Sequence, residues 1–235
     1  MSAVTEQNAP APGAHTTKQR VLLANVLVVA TCALVYELLC GTLASYLLGD
    51  AVLQFSLVLG TYLFAMGAGA WLSRRFEPRA ASRYVQAEVA LALVGGLSVP
   101  LLLAGVAAHL PLRPMLYGAV FVIGALVGVE LPLLVKILRG GENERFGDIV
   151  ARALAYDYVG ALAASLLFPL LLVPRLGLVR TSVVTGAVNA VVALSATFVL
   201  KVERPTVVRA ACGIVLVALV VTFLRGEAWV AGATD

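Results

Sequence analysis

The chain has 235 residues, of which 61% are hydrophobic and only 13% charged, with a net charge of +4. So little polar surface excludes an ordinary water-soluble domain, and so small a charge excludes a nucleic-acid partner held through phosphates. The length leaves room for one membrane domain and none for a separate soluble enzyme beside it.

Residues 1–20, with Pro10, Pro12 and Gly13 among scattered polar residues, lack apolar periodicity and predict a disordered cytosolic tail. Seven apolar runs follow, at 21–47, 52–72, 84–109, 112–138, 151–173, 178–199 and 207–224. A bilayer core about 30 Å thick needs about 20 helical residues, and every run is near that length. The expected fold is all-α, a polytopic transmembrane bundle of about seven spans within residues 21–226, with a short tail at 227–235. The first run is too long for a cleaved signal peptide and reads as a retained span. The seventh is the shortest; if it does not cross, the C-terminus moves to the cytosol.

With the N-terminus cytosolic, Arg113, Arg175, Arg180 and Arg225 fall outside and the other thirteen of the 17 Lys and Arg residues fall inside. Thirteen against four over short loops is a strong positive-inside bias, which predicts a multi-pass protein of the cell membrane. Cys32, Cys40 and Cys212 all lie in runs and read as small apolar fillers, forming neither a disulfide framework nor a metal site. Small residues four apart predict close helix crossings. They are Ala65 with Gly69, Gly124 with Gly128, Gly160 with Ala164, Ala161 with Ser165, and Gly186 with Ala190. Pro132 and Pro169 fall inside runs and predict kinks.

Four acids lie within the runs: Glu37, Glu88, Glu130 and Asp157. Intramembrane charge costs at least about 2.5–3.5 kcal/mol, so such groups face a cavity or a partner. Glu88 and Asp157 lie five residues beyond Arg83 and Arg152, and Glu130 six before Lys136. At about 1.5 Å per residue these three share a depth of roughly 8–9 Å from the cytosolic boundary, whereas Glu37 belongs to the outer half. Three acids at one depth on three helices predict a negative pocket open to the cytosol. The bland alternative is pairing with nearby Arg or Lys, or for Glu88 a place at a helix start that favours its dipole. Glu37 reads as hydrogen-bonded to Tyr36 or another helix, or as a protonatable carrier group.

Tyr36, Tyr156 and Tyr158 flank acids and are candidates to orient them, while Asn25 and Asn189 read as interhelical hydrogen-bond donors. His15 and His109 lack metal-ligand company. Gly140-Gly141 lacks the strand and third glycine of a nucleotide loop. No cofactor, metal or nucleophile arrangement is visible.

Several segments resemble the membrane portion of membrane-bound spermidine synthase-like proteins, polyamine aminopropyltransferases with a transmembrane region. They are Val35-Tyr36-Glu37-Leu38-Leu39, Phe64–Gly69 leading to Ser73-Arg74-Arg75, Gly128–Leu134, and Leu154–Leu162 continuing through Phe168-Pro169-Leu170 to Leu172–Leu178. Glycine before an arginine pair is also similar, more loosely, to major-facilitator transporters. In the resembled family a soluble Rossmann-like catalytic domain follows the spans and binds decarboxylated S-adenosylmethionine and putrescine. The chain stops at Asp235 without one. It either works alone, joins a separate aminopropyltransferase, or is a fragment of a longer product.

The resemblance implies a module, non-catalytic alone, that anchors a polyamine enzyme or passes it a cationic substrate. Glu130 and Asp157 would hold ammonium groups, Glu88 would be a third ligand, and Tyr156 and Tyr158 would cover the methylenes. The alternatives are a secondary transporter of a small cation with Glu37 as the proton-coupled group, and a structural subunit whose acids are all paired. Expected partners are the lipid bilayer, a soluble aminopropyltransferase, a polyamine, and, as an open question, a second copy of the chain; nucleic acid is not among them.

Overall fold

A computed structural model describes residues 17–139 and 145–225, without the side chains of 17, 18, 77 and 78. The expected tails at 1–16 and 227–235, His15 and the Gly140-Gly141 pair lie outside the described residues. The rest is helical and has no strand: α1 (Thr17–Leu48), α2 (Ala51–Ser73), a 3-10 turn (Arg74–Arg79), α3 (Ala80–Ala107), α4 (Leu112–Arg139), α5 (Phe146–Leu167), a π turn (Phe168–Leu172), α6 (Val173–Val199) and α7 (Pro205–Leu224). Helix α1 starts at Thr17, so residues 17–20 of the expected tail are already helical. Helix α4 continues through Pro132, and Pro169 falls in the π turn, where a widened ring accommodates the missing donor.

Six helical stretches are long and apolar enough to cross a membrane, by length and composition; one of them, Phe146–Val199, runs 54 residues. Straight, it would extend about 80 Å, more than twice a bilayer core. It is not straight. Thr31 Oγ1 donates to the Gly160 carbonyl at 3.1 Å, and the adjacent Cys32 Sγ to that of Thr185 at 3.9 Å. Gly160 and Thr185 therefore flank the same turn of α1, and the chain reverses between them. Gly177, at φ 71° and ψ 175°, breaks the helix there, in a backbone region that only glycine enters freely. A second contact confirms the reversal. Arg79, before α3, pairs with Glu203, before α7, at 3.2 Å, and the Glu203 amide donates to Ser82 Oγ at 2.8 Å. Those two connections lie at one end of the bundle, so an even number of helix passes separates them, and α5 and α6 count separately.

Backbone proximity holds the bundle together. A Cβ at Gly128 would strike the Met66 carbonyl and one at Gly69 that of Ala125, while one at Gly124 would lie 2.9 Å from the Tyr62 carbonyl; this seats α4 on α2. Gly160 meets the Leu27 carbonyl of α1, and Gly186 lies 2.6 Å from the Gly96 Cα of α3 by the same measure. Four of the five expected small-residue pairs thus sit at crossings. The fifth does not: Ser165 is exposed and its hydroxyl bonds back to Leu162 of its own helix. Helix α1 is central, touching α2, α4, α5 and α6.

Much of the surface is apolar, and the largely apolar interior encloses polar groups. Phe64 is 71% exposed and Leu170 73%, while Glu88, Glu130, Asn25 and Asn189 are buried. Such exposed apolar side chains suit a hydrocarbon exterior better than water.

Glycine substitutions separate packing from propensity. Gly128→Ala should destabilise the bundle by about 1–3 kcal/mol through overpacking, whereas Gly67, with nothing within 4 Å of a Cβ, should gain about 0.5–1 kcal/mol as alanine. Thermal unfolding in detergent reads both signs. Gly177→Ala should cost about 1–3 kcal/mol although no atom lies near its Cβ; an unchanged midpoint would contradict the strained turn.

Candidate functional site

The contacts already described set the helix registers. Ser182 Oγ donates to the Gly96 carbonyl at 3.2 Å, and Gly186 faces Ala92 one turn further on, so α3 and α6 are antiparallel. One more turn brings Asn189 level with Glu88. On α5, Asp157 lies about 4.5 Å before Gly160, level with the inner part of α1. Helix α4 brings Glu130 to the same layer, in electrostatic range of both Glu88 and Asp157. Of the three acids expected at one depth, Glu130 thus stands between the other two.

Their surroundings differ. Glu88 is 0% exposed and Glu130 1%. The expectation that Glu88 sits at a helix start is corrected: α3 begins at Ala80, which puts Glu88 in its third turn, facing the core. Asp157 is half-buried and shares with Glu130 a cleft of about 60 Å³ between α1, α4 and α5, walled by Val26, Ala30, Ala33 and Met66. If a water-sized group needs about 10–15 Å³ on this measure, the cleft holds about four to six such groups.

None of the four oxygens of Glu88 and Glu130 makes a hydrogen bond of good geometry among the described residues. The same holds for the hydroxyls of Tyr36 and Tyr84, both amide atoms of Asn189 and the nitrogen of Asn25, although the Tyr84 phenol stands within reach of the Glu88 carboxylate. Tyr84 lies one turn before Glu88 on the same helix face and close to both acids; Tyr36 and Cys32 are near both as well. Each unpaired buried polar group costs about 1–3 kcal/mol, so a concentration like this is not a stability device. Nor do these helices supply a cation there: α3 carries none after Arg83, and α4 none between Arg113 and Lys136. The layer is rich in acceptors. Among the described residues no group of three His, Cys, Asp or Glu side chains could hold a metal ion.

The other expected site residues stand apart. Glu37 is half-buried, two turns outward on α1, near Cys40 and Tyr62 rather than the acid layer. Tyr36 does not serve it, because the Tyr36 ring turns the other way, onto Gly95 of α3. Tyr156 is 38% exposed and Tyr158 67%, both on the outer surface of α5, and neither lines the cleft. Their positions, 156 and 158, flank Asp157 in sequence, but neighbours in a helix diverge by about 100° each. Asn25 and Asn189 do not act as the interhelical donors expected of them, since their amide nitrogens are unpartnered. Tyr84 is the residue that sequence reasoning missed. Its i to i+4 spacing from Glu88 was the available signal.

No protein-family model matches the chain, and no solved structure does. Curated relatives do. A polyamine aminopropyltransferase of Leptospira interrogans is 44% identical over 207 residues, covering 87% of this chain and 41% of the relative. Polyamine aminopropyltransferase 2 of Ralstonia nicotianae is 50% identical over 175 residues, covering 74% and 34%. Polyamine aminopropyltransferase 1 of Streptomyces coelicolor is 37% identical over 231 residues, covering 96% and 44%. The chain spans well under half the length of these relatives, at 34–44%. Over most of its own length, the chain is thus a homologue of one part of proteins named polyamine aminopropyltransferase.

Proposed function

We propose that the chain is a membrane-embedded module of seven crossings, N-terminus in the cytosol, that binds a cationic polyamine and presents it to an aminopropyltransferase catalytic unit at the cytosolic face. The observation that carries this reading is the buried, unpartnered Glu88–Glu130 pair beside the Asp157 cleft. A protonated diamine complements this layer: it carries ammonium groups, which donate and never accept, separated by methylenes that suit Ala30, Ala33 and Met66. Glu130 and Asp157 would each hold an ammonium, with Glu88 as the deeper ligand. The module adds binding and orientation; the aminopropyl transfer itself belongs to the catalytic partner.

The reversal at Gly177, the Arg79–Glu203 tie and the positive-inside bias support the reading of seven crossings. The 74–79 and 200–204 connections would then face the cytosol and the 108–111 connection the outside. A cysteine placed at Leu110 should react with an impermeant thiol reagent on intact cells, and one at Lys201 only after permeabilisation. Labelling of Lys201 from outside would overturn the orientation.

Calorimetry with putrescine and spermidine on detergent-purified protein tests the site. Saturable binding is expected, weakened at least about tenfold in Glu130→Gln and Asp157→Asn, with Glu37→Gln unchanged. Ligand-free stability gives an independent sign. Removing an unpartnered buried acid relieves part of its insertion cost, so Glu130→Gln should raise the melting midpoint while it weakens binding. A lowered midpoint would mean that Glu130 is a structural ion-pair partner instead.

A further inference from the structure

On the opposite side of the α3–α4 pair from the acids lies a second feature that the polyamine reading does not use. A groove of about 360 Å³ runs between the two helices, lined by Arg83, Gln86 and Ala90 of α3 and by Phe121, Ala125 and Val129 of α4, among others. Positions 83, 86 and 90 share one face of α3, and 121, 125 and 129 share one face of α4, so both walls are continuous. From Val129 to Phe121 the groove runs about 12 Å. An extended hydrocarbon chain fits a slot of that volume and length.

Its polarity is confined to one end. Arg83 is exposed at the mouth, its guanidinium bonded to Gln86 Oε1 at 3.1 Å and stacked over the Phe76 ring at 5.2 Å. The segment 71–83 leading to it carries four arginines and one glutamate. Arg75 lies over Trp71 at 5.3 Å, which sets an aromatic and a cation together at the same level. Away from Arg83 the lining is aliphatic or aromatic and runs toward the middle of the bundle. Charge at the boundary with a narrow apolar slot pointing inward matches an amphiphile with an anionic head and an extended tail.

We propose that this groove is a binding site for an anionic phospholipid of the cytosolic leaflet, its phosphate on Arg83 and one acyl chain between Ala90 and Phe121. The proposal rests on the membrane orientation given above but not on polyamine binding. Ala87 and Val129 line the groove while the next residues, Glu88 and Glu130, are buried deeper in the core. The acyl chain therefore packs against the backs of the two helix turns that carry the buried acids.

Native mass spectrometry of the detergent-purified protein, titrated with phosphatidylglycerol and with phosphatidylcholine of the same acyl chains, tests this. One favourable arginine contact predicts about a fivefold preference for phosphatidylglycerol. Arg83→Gln should erase that preference while leaving residual binding of both lipids, and Ala90→Phe should reduce both by filling the slot. Should Ala90→Phe fail to fold, Val122→Phe at the exposed rim serves the same purpose. Equal affinity for the two lipids in the unaltered protein, or a preference that survives Arg83→Gln, overturns the assignment. Purification of the protein from cells without detergent would overturn the membrane orientation itself, a failure distinct from that of the groove.

Discussion

Everything in this bundle depends on how closely helix backbones can approach. In a hydrocarbon environment apolar side chains gain nothing by meeting one another, and association comes from van der Waals contact and polar bonds between helices. Gly69, Gly128, Gly160 and Gly186 each stand where a single carbon would strike a neighbouring backbone. The seams they form draw α2 onto α4, α5 onto α1 and α6 onto α3. Because α1 touches most of the others, these seams also decide what lies inside: the inner half of α1, faced by the acid-bearing turns of α3 and α4.

That interior is polar in an unusual way. Buried polar groups in folded proteins are nearly always paired, yet here carboxylates, phenols and amides gather in one layer without closing bonds among the described residues. A structural network would show those bonds, as Tyr62 does by donating to the Ala33 carbonyl at 2.9 Å and Tyr117 to Gln54 at 2.8 Å. Both kinds of buried tyrosine occur in the same bundle, so the contrast is internal. Under the function proposed above, a protonated polyamine would be the chemically fitting occupant of this layer.

Much of the fold was legible because long apolar runs leave few alternatives to helices. Run lengths near 20 residues, charges gathered toward the ends of the runs and small residues four apart are what membrane-spanning helices require, and the helices fall within a few residues of the runs. The common depth of Glu88, Glu130 and Asp157 was readable by counting residues from flanking charges. Rotation was not. Whether a side chain on an all-apolar helix faces inward depends on which small residues meet which neighbour. That is why Tyr156 and Tyr158 are on the outside while Tyr84, at the edge of its run, is at the centre. The Arg79–Glu203 tie joins connections 124 residues apart, and no local pattern announces it.

Gly177 has a role out of proportion to its size. A hairpin within an otherwise continuous 54-residue apolar stretch determines the parity of everything after it. Were the stretch to run on without turning, Lys201, Arg204 and Arg209 would lie at the opposite end of the bundle. The tie between Arg79 and Glu203 could not form. In the orientation proposed above, the cationic bias of short loops and the conformational freedom of one glycine would give the same instruction to an insertion machinery, and a single backbone conformation would serve both insertion and folding.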